Sequence, residues 1–401
     1  MTPLEDNEQP RTWLLFGLIV AQCLGSFGQI TIATLAGIVG SILAPTPGLA
    51  TLAVTTGILG VALAAWPFAS LRRRFGNRAI FAASLVWAAG GAVVAAAAIA
   101  SESFPAFCLG TFMIGNNMAV IAQYRFAAVE LVPQRMASRA ISGVMVGTLL
   151  AAIIAPWIAL EFRHLLAADF AGSFIALVPA CLAGAILVAA LPLRDVRAGE
   201  PGQHDGPPLG DILRRRPIQL AIVAASAGYG IMSLLMTATP ISMHVIGEHS
   251  AEATAGVIRA HILAMFAPSL VSGWLIEKLG IPRMLWSGIA LLLLCVGIAA
   301  SGTELWHYRA ALIALGVGWN FLFVAGTTLL TVESNKEEAA RIQGFNDTVM
   351  FCTMGIASLS AGGLLYQIGW QWTNVASVVL VLLIVGALAR SPRRQDRAAT
   401  R

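Results

Sequence analysis

The clearest shortage in this 401-residue sequence is of charge. Asp, Glu, Lys and Arg together make up 11% of the residues, whereas an ordinary soluble domain carries about 25%. Hydrophobic residues make up 58% and glycine adds 39 positions, so little material remains for a water-facing shell. This composition excludes a soluble enzyme, a nucleic-acid-binding protein and a disordered chain.

Other features are absent as well. The five cysteines lie in apolar stretches without a CxxC pair, so neither a disulfide framework nor a thiolate metal cluster is predicted. The N-terminus, MTPLEDNEQPR, lacks the basic start of a signal peptide, and the first apolar run is therefore predicted to be a retained span. No Walker motif occurs, so any transport is expected to use a gradient instead of ATP.

Long apolar runs dominate what is present. A membrane-spanning helix needs about 20 mostly apolar residues, and the backbone in lipid must satisfy its own hydrogen bonds, which favours helices. The alternating pattern of barrel strands is missing. We therefore predict an all-α polytopic membrane protein with twelve transmembrane helices. The predicted spans are residues 12–40, 48–70, 78–100, 104–129, 139–161, 168–193, 217–246, 252–276, 282–301, 304–331, 340–367 and 371–390.

The placement of Lys and Arg predicts the orientation. With both termini in the cytoplasm, 21 of the 25 basic residues fall on the inner side of the membrane. Only Arg163 and Arg309 fall outside, while Arg125 and Arg259 lie within spans. This bias follows the positive-inside rule, and the expected location is the bacterial inner membrane.

The longest polar stretch divides the predicted spans six and six. Residues 194–216 are rich in Gly, Pro and charge, which is typical of a cytoplasmic linker. The predicted domains are thus an N-terminal six-helix bundle, 1–193, and a C-terminal six-helix bundle with a basic tail, 217–401.

An internal repeat relates the two halves. A shift of 203 residues puts Gly115 on Gly318 and Asn117 on Asn320, within IGNNM and VGWNF. Two six-span halves of the same orientation are typical of a secondary transporter that rocks between two states.

A loop motif adds a family resemblance. GWLIEKLG, residues 273–280, resembles the G-x-L-x-D/E-R/K-x-G signature of the major facilitator superfamily, and the predicted topology extends the resemblance over nearly the whole chain. It implies two pseudo-symmetric six-helix bundles and a transporter, not an enzyme. The first-half copy, ASLRRRFGNR, has Ala69 in place of the first Gly and Arg73 in place of the acid. Glu277 and Lys278 are therefore the candidate gate residues.

Soft donor side chains occur in two consecutive predicted spans. Met232 and Met236 lie four residues apart in span seven, and His261 and Met265 do so in span eight. Counting about 1.5 Å per residue from the outer helix ends gives depths of roughly 9 to 18 Å for the four, so the pairs can meet in two layers. Thioethers and imidazole suit Cu(I), and the lack of a nearby carboxylate argues against hard cations.

Packing is the alternative explanation of these methionines. Met is a flexible filler of apolar cores, and Met350 and Met354 in span eleven have the same spacing. The two motifs and the sequence segments that contain them, YGIMSLLMTATP and HILAMFAPSLVSGWLIEKLG, resemble the copper-importing CcoA-like branch of the superfamily. That resemblance implies copper import for cytochrome oxidase assembly, with Met232, Met236, His261 and Met265 as ligands. A sister group on the same scaffold imports riboflavin.

Other polar residues within the spans are weaker candidates. Asp347 with Arg341 is a candidate for proton coupling or for a gate. Four further polar residues are candidates for lining the cavity or for tying helices together: Asn116, Asn117, Gln123 and Tyr229. The expected partners are copper as substrate, the lipid bilayer and a copper chaperone. We expect a monomer without a permanently bound cofactor.

Two other functions stay open. The same scaffold with an organic cargo, such as riboflavin or a drug, would use aromatic side chains as stacking walls. These are Trp66, Trp319, Tyr229 and Phe266. A non-transporting factor that delivers copper to a partner is the third possibility, although the short loops offer little docking surface.

Overall fold

The regular elements of the described residues are helices. The computed structural model describes residues 11–133, 136–193 and 208–390. The first helices are α1 (Thr12–Thr31), α2 (Gly37–Leu43), α3 (Leu52–Ala100), α4 (Phe104–Ile121), α5 (Tyr124–Val129), α6 (Ala137–Glu161), α7 (Ala171–Ile175) and α8 (Leu177–Ala190). They are followed by α9 (Leu209–Leu213), α10 (Arg216–Pro240), α11 (Ala251–Phe266), α12 (Ser269–Leu279), α13 (Ile281–Ser301), α14 (Leu305–Glu333), α15 (Lys336–Ala376) and α16 (Val378–Arg390).

The predicted membrane class is confirmed, but the predicted number of spans is not reproduced. Ten helical stretches in the described residues are long and apolar enough to cross a membrane, or eleven if α11 and α12, bent by 44°, form one span. The difference arises at the end of the chain. The predicted spans 340–367 and 371–390 fall within one 50-residue stretch, Arg341–Arg390, which is broken at Gly369 with φ 76°.

Two glycines end helices in the same way at corresponding places of the repeat. Gly76 has φ 84° and ψ 165° within α3, and Gly280 has φ 80° and ψ 157° between α12 and α13. A shift of 204 residues superimposes the two positions. This backbone region is essentially restricted to glycine, so the last residue of the loop signature is a helix break, and the repeat is visible in the backbone.

The first span of each predicted half changes its winding. α1 continues into a π-helical segment at Ile32–Ala36, and α10 continues into another at Ile241–Ile246. Pro240, which has no amide hydrogen to donate, immediately precedes the second segment. Such segments widen a helix locally and occur often at functional sites.

Backbone contacts divide the chain into two units. The first comprises Met1–Glu200 and Thr239–Ile262, and the second comprises Pro201–Ala238 and Leu263–Arg401. The predicted bundles, 1–193 and 217–401, stay a prediction. Residues 194–207 of the predicted linker and 391–401 of the basic tail lie outside the described residues.

Each unit has its own core. In the first unit, the rings of Phe81 and Tyr124 lie 4.7 Å apart among buried aliphatic side chains of α1, α3 and α6. In the second unit, Tyr308 and Trp370 lie 4.9 Å apart between α14 and α15. Ser233 on α10 donates to the carbonyl of Met354 on α15, so α10 and α15 are joined by a hydrogen bond as well as by packing.

Candidate functional site

Sulfur and aromatic side chains form one cluster in the second unit. Met232, Met265 and Trp319 are its buried members, with exposed fractions of 5%, 7% and 3%. The residues packed against them are Tyr229, Met236, Phe266 and Phe323. We call these seven residues the Met–aromatic cluster.

Helical spacing explains how the cluster assembles. Tyr229, Met232 and Met236 follow the i, i+3, i+7 pattern and so share one face of α10. Trp319 and Phe323 are four residues apart on α14. Met265 and Phe266 form the end of α11. Three of the four predicted soft donors are therefore brought together, and all three are thioethers.

Two rings of the cluster are stacked, and two others meet Trp319 edge-on. Trp319 and Phe323 stack with ring centroids 5.2 Å apart and planes 5° apart. Tyr229 meets Trp319 edge-on at 4.9 Å, and Phe266 meets Trp319 edge-on at 6.2 Å. The Nε1 atom of Trp319 is buried, and no described residue accepts its hydrogen. A buried donor of this kind costs free energy until it meets an acceptor.

The fourth predicted donor is on the same helix as Met265. His261 is fully buried on α11, four residues before Met265, so the two side chains share a helix face. His261 belongs to the first unit by its backbone contacts and Met265 to the second. Within the described residues, no three side chains of His, Cys, Asp or Glu converge on a possible metal position. A metal at this place would therefore depend on thioethers.

The Asn that both halves of the repeat share, Asn117 and Asn320, joins helices in each unit. In the first unit, Asn117 Nδ2 donates to the Gly25 carbonyl at 3.1 Å and its Oδ1 accepts from Ser84 Oγ at 3.0 Å. In the second unit, Asn320 Nδ2 donates to the Met265 carbonyl at 2.8 Å. Both amides thus hold a backbone carbonyl of a neighbouring helix.

The other predicted lining residues differ in their surroundings. Asn116 Nδ2 donates to the Gly60 carbonyl at 2.8 Å and its Oδ1 accepts from Trp87 Nε1 at 3.0 Å. Gln123 is half-buried between α4 and α5. Tyr229 is half-buried in the Met–aromatic cluster. The side chain of Trp66 lies outside the described part of the chain.

The candidate gate residues of the loop signature are exposed. Glu277 and Lys278 both lie on the exposed face of α12, and Lys278 Nζ lies 4.3 Å from the centroid of the Trp274 ring. The side chain of Arg73, in the first-half copy, is outside the described residues.

The candidate coupling residue lies early in α15. Asp347 is exposed, and its Oδ1 accepts a hydrogen bond from Asn346 Nδ2 at 3.3 Å. Arg341 is half-buried six residues earlier on the same helix.

A polar stripe on α1 was not predicted from the sequence. Gln22, Ser26 and Gln29 follow the i, i+4, i+7 pattern, and Gln22 Nε2 donates to Thr148 Oγ1 at 2.9 Å. The remaining oxygens of the three side chains are buried and accept no hydrogen bond from a described residue. The signal was three polar residues at helical spacing within AQCLGSFGQIT, a pattern that in a membrane span indicates a hydrogen-bonding role.

An ion pair between a buried carboxylate and a half-exposed arginine connects two helix junctions of the second unit, outside the spans. Arg215, between α9 and α10, donates from both terminal nitrogens to the carboxylate of Glu338, at 2.9 and 2.7 Å. Glu338, 2% exposed, also accepts from the Asn335 backbone amide at the start of α15. The hydrogen bonds from Arg215 lower the pKa of Glu338 below its ordinary value.

A second charged contact lies in the first unit. Arg163, after α6, pairs with Glu252 in the first turn of α11 at 2.5 Å.

Comparison with known proteins assigns the scaffold. The model of the Major Facilitator Superfamily matches residues 18–358. The riboflavin transporter RfnT of Brucella anthropi is 40% identical over 376 residues, covering 92% of this chain and 94% of that protein. The uncharacterised transporter YdeG of Bacillus subtilis is 29% identical, covering 95% of this chain and 92% of that protein.

Solved structures support the same fold. A POT family transporter in complex with 5-aminolevulinic acid superimposes with a TM-score of 0.74, covering 98% of this chain and 99% of that chain, at 11% identity. The nucleoside transporter NupG superimposes with a TM-score of 0.69 at 12% identity, covering 94% of this chain and 98% of that chain. At such identities the likeness concerns the fold alone.

Proposed function

The chain belongs to the major facilitator superfamily, and within that family we propose that it imports copper. The coarser statement, a membrane-embedded secondary transporter and not an enzyme, follows from the family match and the transporter relatives. The cargo, the direction of transport and the orientation of the termini are part of the proposal.

The copper proposal rests on one observation. The thioethers of Met232, Met236 and Met265 belong to the same cluster, which is largely shielded from solvent. Thioether sulfur and neutral imidazole are soft donors that select Cu(I) over Mg, Ca or Mn. His261 supplies the imidazole from the same face of α11 as Met265.

The spacing of the donors suggests a path with two steps. Four residues of helix correspond to an advance of about 6 Å, so each pair, Met232 with Met236 and His261 with Met265, offers one shallow and one deep donor. Because the donors are neutral, no negative side chain balances the charge of the ion. The site is therefore suited to releasing copper instead of binding it permanently. Copper is a substrate here, to be released inward to a chaperone for oxidase assembly.

Replacing the sulfur atoms tests this proposal. Met232→Leu/Met236→Leu keeps the apolar volume but removes two donors, and we expect it to abolish cellular uptake of copper-64. His261→Ala/Met265→Leu is expected to do the same. Met350→Leu/Met354→Leu is the matched control because these methionines have the same spacing on α15, outside the cluster. Normal uptake by both donor variants, with the protein present in the membrane, contradicts the proposal.

Riboflavin is the second candidate cargo, and the comparisons favour it over copper. The relative with 40% identity is a riboflavin transporter, and the stacked pair Trp319 and Phe323 offers a flat surface to a planar molecule. The buried indole N–H of Trp319 would donate to a carbonyl of such a cargo.

A riboflavin auxotroph separates the two cargoes. If copper is the cargo, the chain does not restore growth of this strain at limiting riboflavin. Restored growth, lost in Trp319→Leu but kept in Met232→Leu/Met236→Leu, establishes the flavin instead. Trp370→Leu is the control, because Trp370 is also a buried tryptophan with an unpaired Nε1 among the described residues, but outside the cluster. Copper binding without accumulation in proteoliposomes would indicate the non-transporting copper factor.

Coupling and gating are further parts of the proposal. Asp347 with Arg341 is proposed to carry the coupling proton or to form a gate near the inner end of the span. Glu277 with Lys278 is proposed as the cytoplasmic gate of the loop signature. Copper uptake into proteoliposomes with and without a pH gradient tests the first assignment.

A further inference from the structure

The break between α11 and α12 follows directly after two members of the Met–aromatic cluster. α11 ends at Phe266 and α12 begins at Ser269, with a bend of 44°. Pro268 has no amide hydrogen, so the regular hydrogen-bond ladder stops here. Bonding resumes with Leu270, whose amide donates to the Ala267 carbonyl at 3.2 Å, followed by Val271 and Ser272, which both donate to the Pro268 carbonyl.

Asn320 supplies the hydrogen bond that the Met265 carbonyl receives at this break. Its Nδ2 donates to Met265 O at 2.8 Å and to Ser269 Oγ at 2.6 Å. Its Oδ1 accepts from Ser272 Oγ at 2.7 Å. One side-chain amide of α14 therefore holds the last turn of α11 and the first turn of α12. A carbonyl that lacks a donor is costly in the bilayer core, so this bond stabilises the broken geometry.

The same residue is adjacent to the cluster on its own helix. Asn320 is 1% exposed and follows Trp319, whose ring packs against Met232 and Met265. The Met265 backbone is thus held by Asn320, while the Met265 side chain belongs to the same packed cluster as Trp319, the residue before Asn320.

From this arrangement we infer that Asn320 is a positioning residue of the binding site. It holds the Met265 backbone so that the thioether is presented to Met232 and Trp319. The identity of what binds there rests on the proposed function, but the positioning role does not. Because the same amide also holds Ser269 and Ser272, the position of Met265 is linked to the bend between α11 and α12.

Asn117 provides a matched comparison. It occupies the equivalent position of the repeat, is 2% exposed and also donates to a backbone carbonyl, that of Gly25. No residue of the Met–aromatic cluster is among its hydrogen-bond partners. Replacing either Asn removes a buried inter-helix amide, so a purely structural role predicts equal effects.

The test compares Asn320→Ala with Asn117→Ala in the full chain in nanodiscs. In protein labelled with [methyl-¹³C]methionine, the Met265 resonance, assigned through Met265→Leu, is expected to shift in Asn320→Ala and to stay in Asn117→Ala. Anaerobic Cu(I) competition against a chelator is expected to show affinity weakened about tenfold in Asn320→Ala only. An unmoved Met265 resonance in Asn320→Ala, or equal weakening in both variants, overturns the inference.

A second variant and a second probe keep the outcome decisive. If Asn320→Ala does not fold, Ser269→Ala/Ser272→Ala removes the partners that orient the amide, and a smaller shift of the Met265 resonance is expected. Riboflavin binding, followed by quenching of flavin fluorescence, is measured on the same samples. A wild-type protein that binds neither Cu(I) nor riboflavin refutes the proposed function, while the Met265 resonance still decides the role of Asn320.

Discussion

At the scale of single residues, the chain contains few charges, and the buried carboxylate of Glu338 is paired with Arg215. Glu338 combines two roles, because it accepts hydrogen bonds from both terminal nitrogens of Arg215 and from the backbone amide of Asn335. The first role joins two helix junctions, and the second completes a capping box at the start of α15. This pair was not predicted from the sequence, because its members are 123 positions apart.

The stabilising effect of the pair depends on pH. Arg215 lowers the pKa of Glu338, so the stabilisation is complete above the unfolded-state value of about 4.3 and is lost as the pH falls below it. Glu338→Gln is expected to lower stability by about 1 kcal/mol near pH 7, since the half-exposed Arg215 is partly screened by solvent. Thermal unfolding in detergent measures the difference.

The control for this prediction is a fully exposed pair. Arg214 and Asp211 lie 3.5 Å apart, with 85% and 58% of their side chains exposed, and Asp211→Asn is expected to leave stability unchanged. A stability difference between wild type and Glu338→Gln that persists unchanged at pH 3 argues against the ion pair as its cause.

At the scale of elements, glycine decides where helices end. Composition predicts apolar spans, but it does not reveal that α3 runs from Leu52 to Ala100 with its break at Gly76. The predicted boundary between the last two spans corresponds to Gly369 within α15. The positions of the predicted spans therefore agree with the structure better than their number does: twelve are predicted, and the described residues contain ten or eleven.

The backbone conformation of Gly280 leads to a prediction at this scale. Gly280→Ala is expected to lower stability by about 1–3 kcal/mol, because a side chain is strained at φ 80° and ψ 157°. The space around Gly280 is open, with the Pro282 ring 3.9 Å from an added Cβ, so the cost comes from the backbone. The shift in unfolding temperature of the purified protein measures it.

The first glycine of the same signature is the control. Gly273 lies inside α12, and an added Cβ would meet nothing within 4 Å. Gly273→Ala is therefore expected to be neutral or slightly stabilising, since Ala is the better helix former. A Gly280→Ala protein as stable as Gly273→Ala would show that the strain is relieved elsewhere.

At the scale of the whole molecule, scaffold and cargo are separate questions. Hydropathy, the internal repeat and the loop signature indicate the superfamily, and the family match over residues 18–358 confirms it. In the proposed function, the cargo is selected by a few side chains of the Met–aromatic cluster. Its sulfur atoms favour copper, whereas its aromatic rings and the similarity to a 40% identical riboflavin transporter favour a flavin. The copper-64 uptake assay and the riboflavin auxotroph assay therefore decide the cargo of the whole protein.

The amino-acid sequence alone determined the helical membrane class, the internal repeat and the spacing of the Met and His pairs, because these depend on local periodicity and on the high cost of polar groups in lipid. The tertiary structure decided which distant residues meet. Met265 joins Met232 and Trp319, Asn320 holds the broken α11–α12 junction, and Arg215 reaches Glu338. These contacts arise from how helices pack and where they bend, which residue spacing along one helix does not specify.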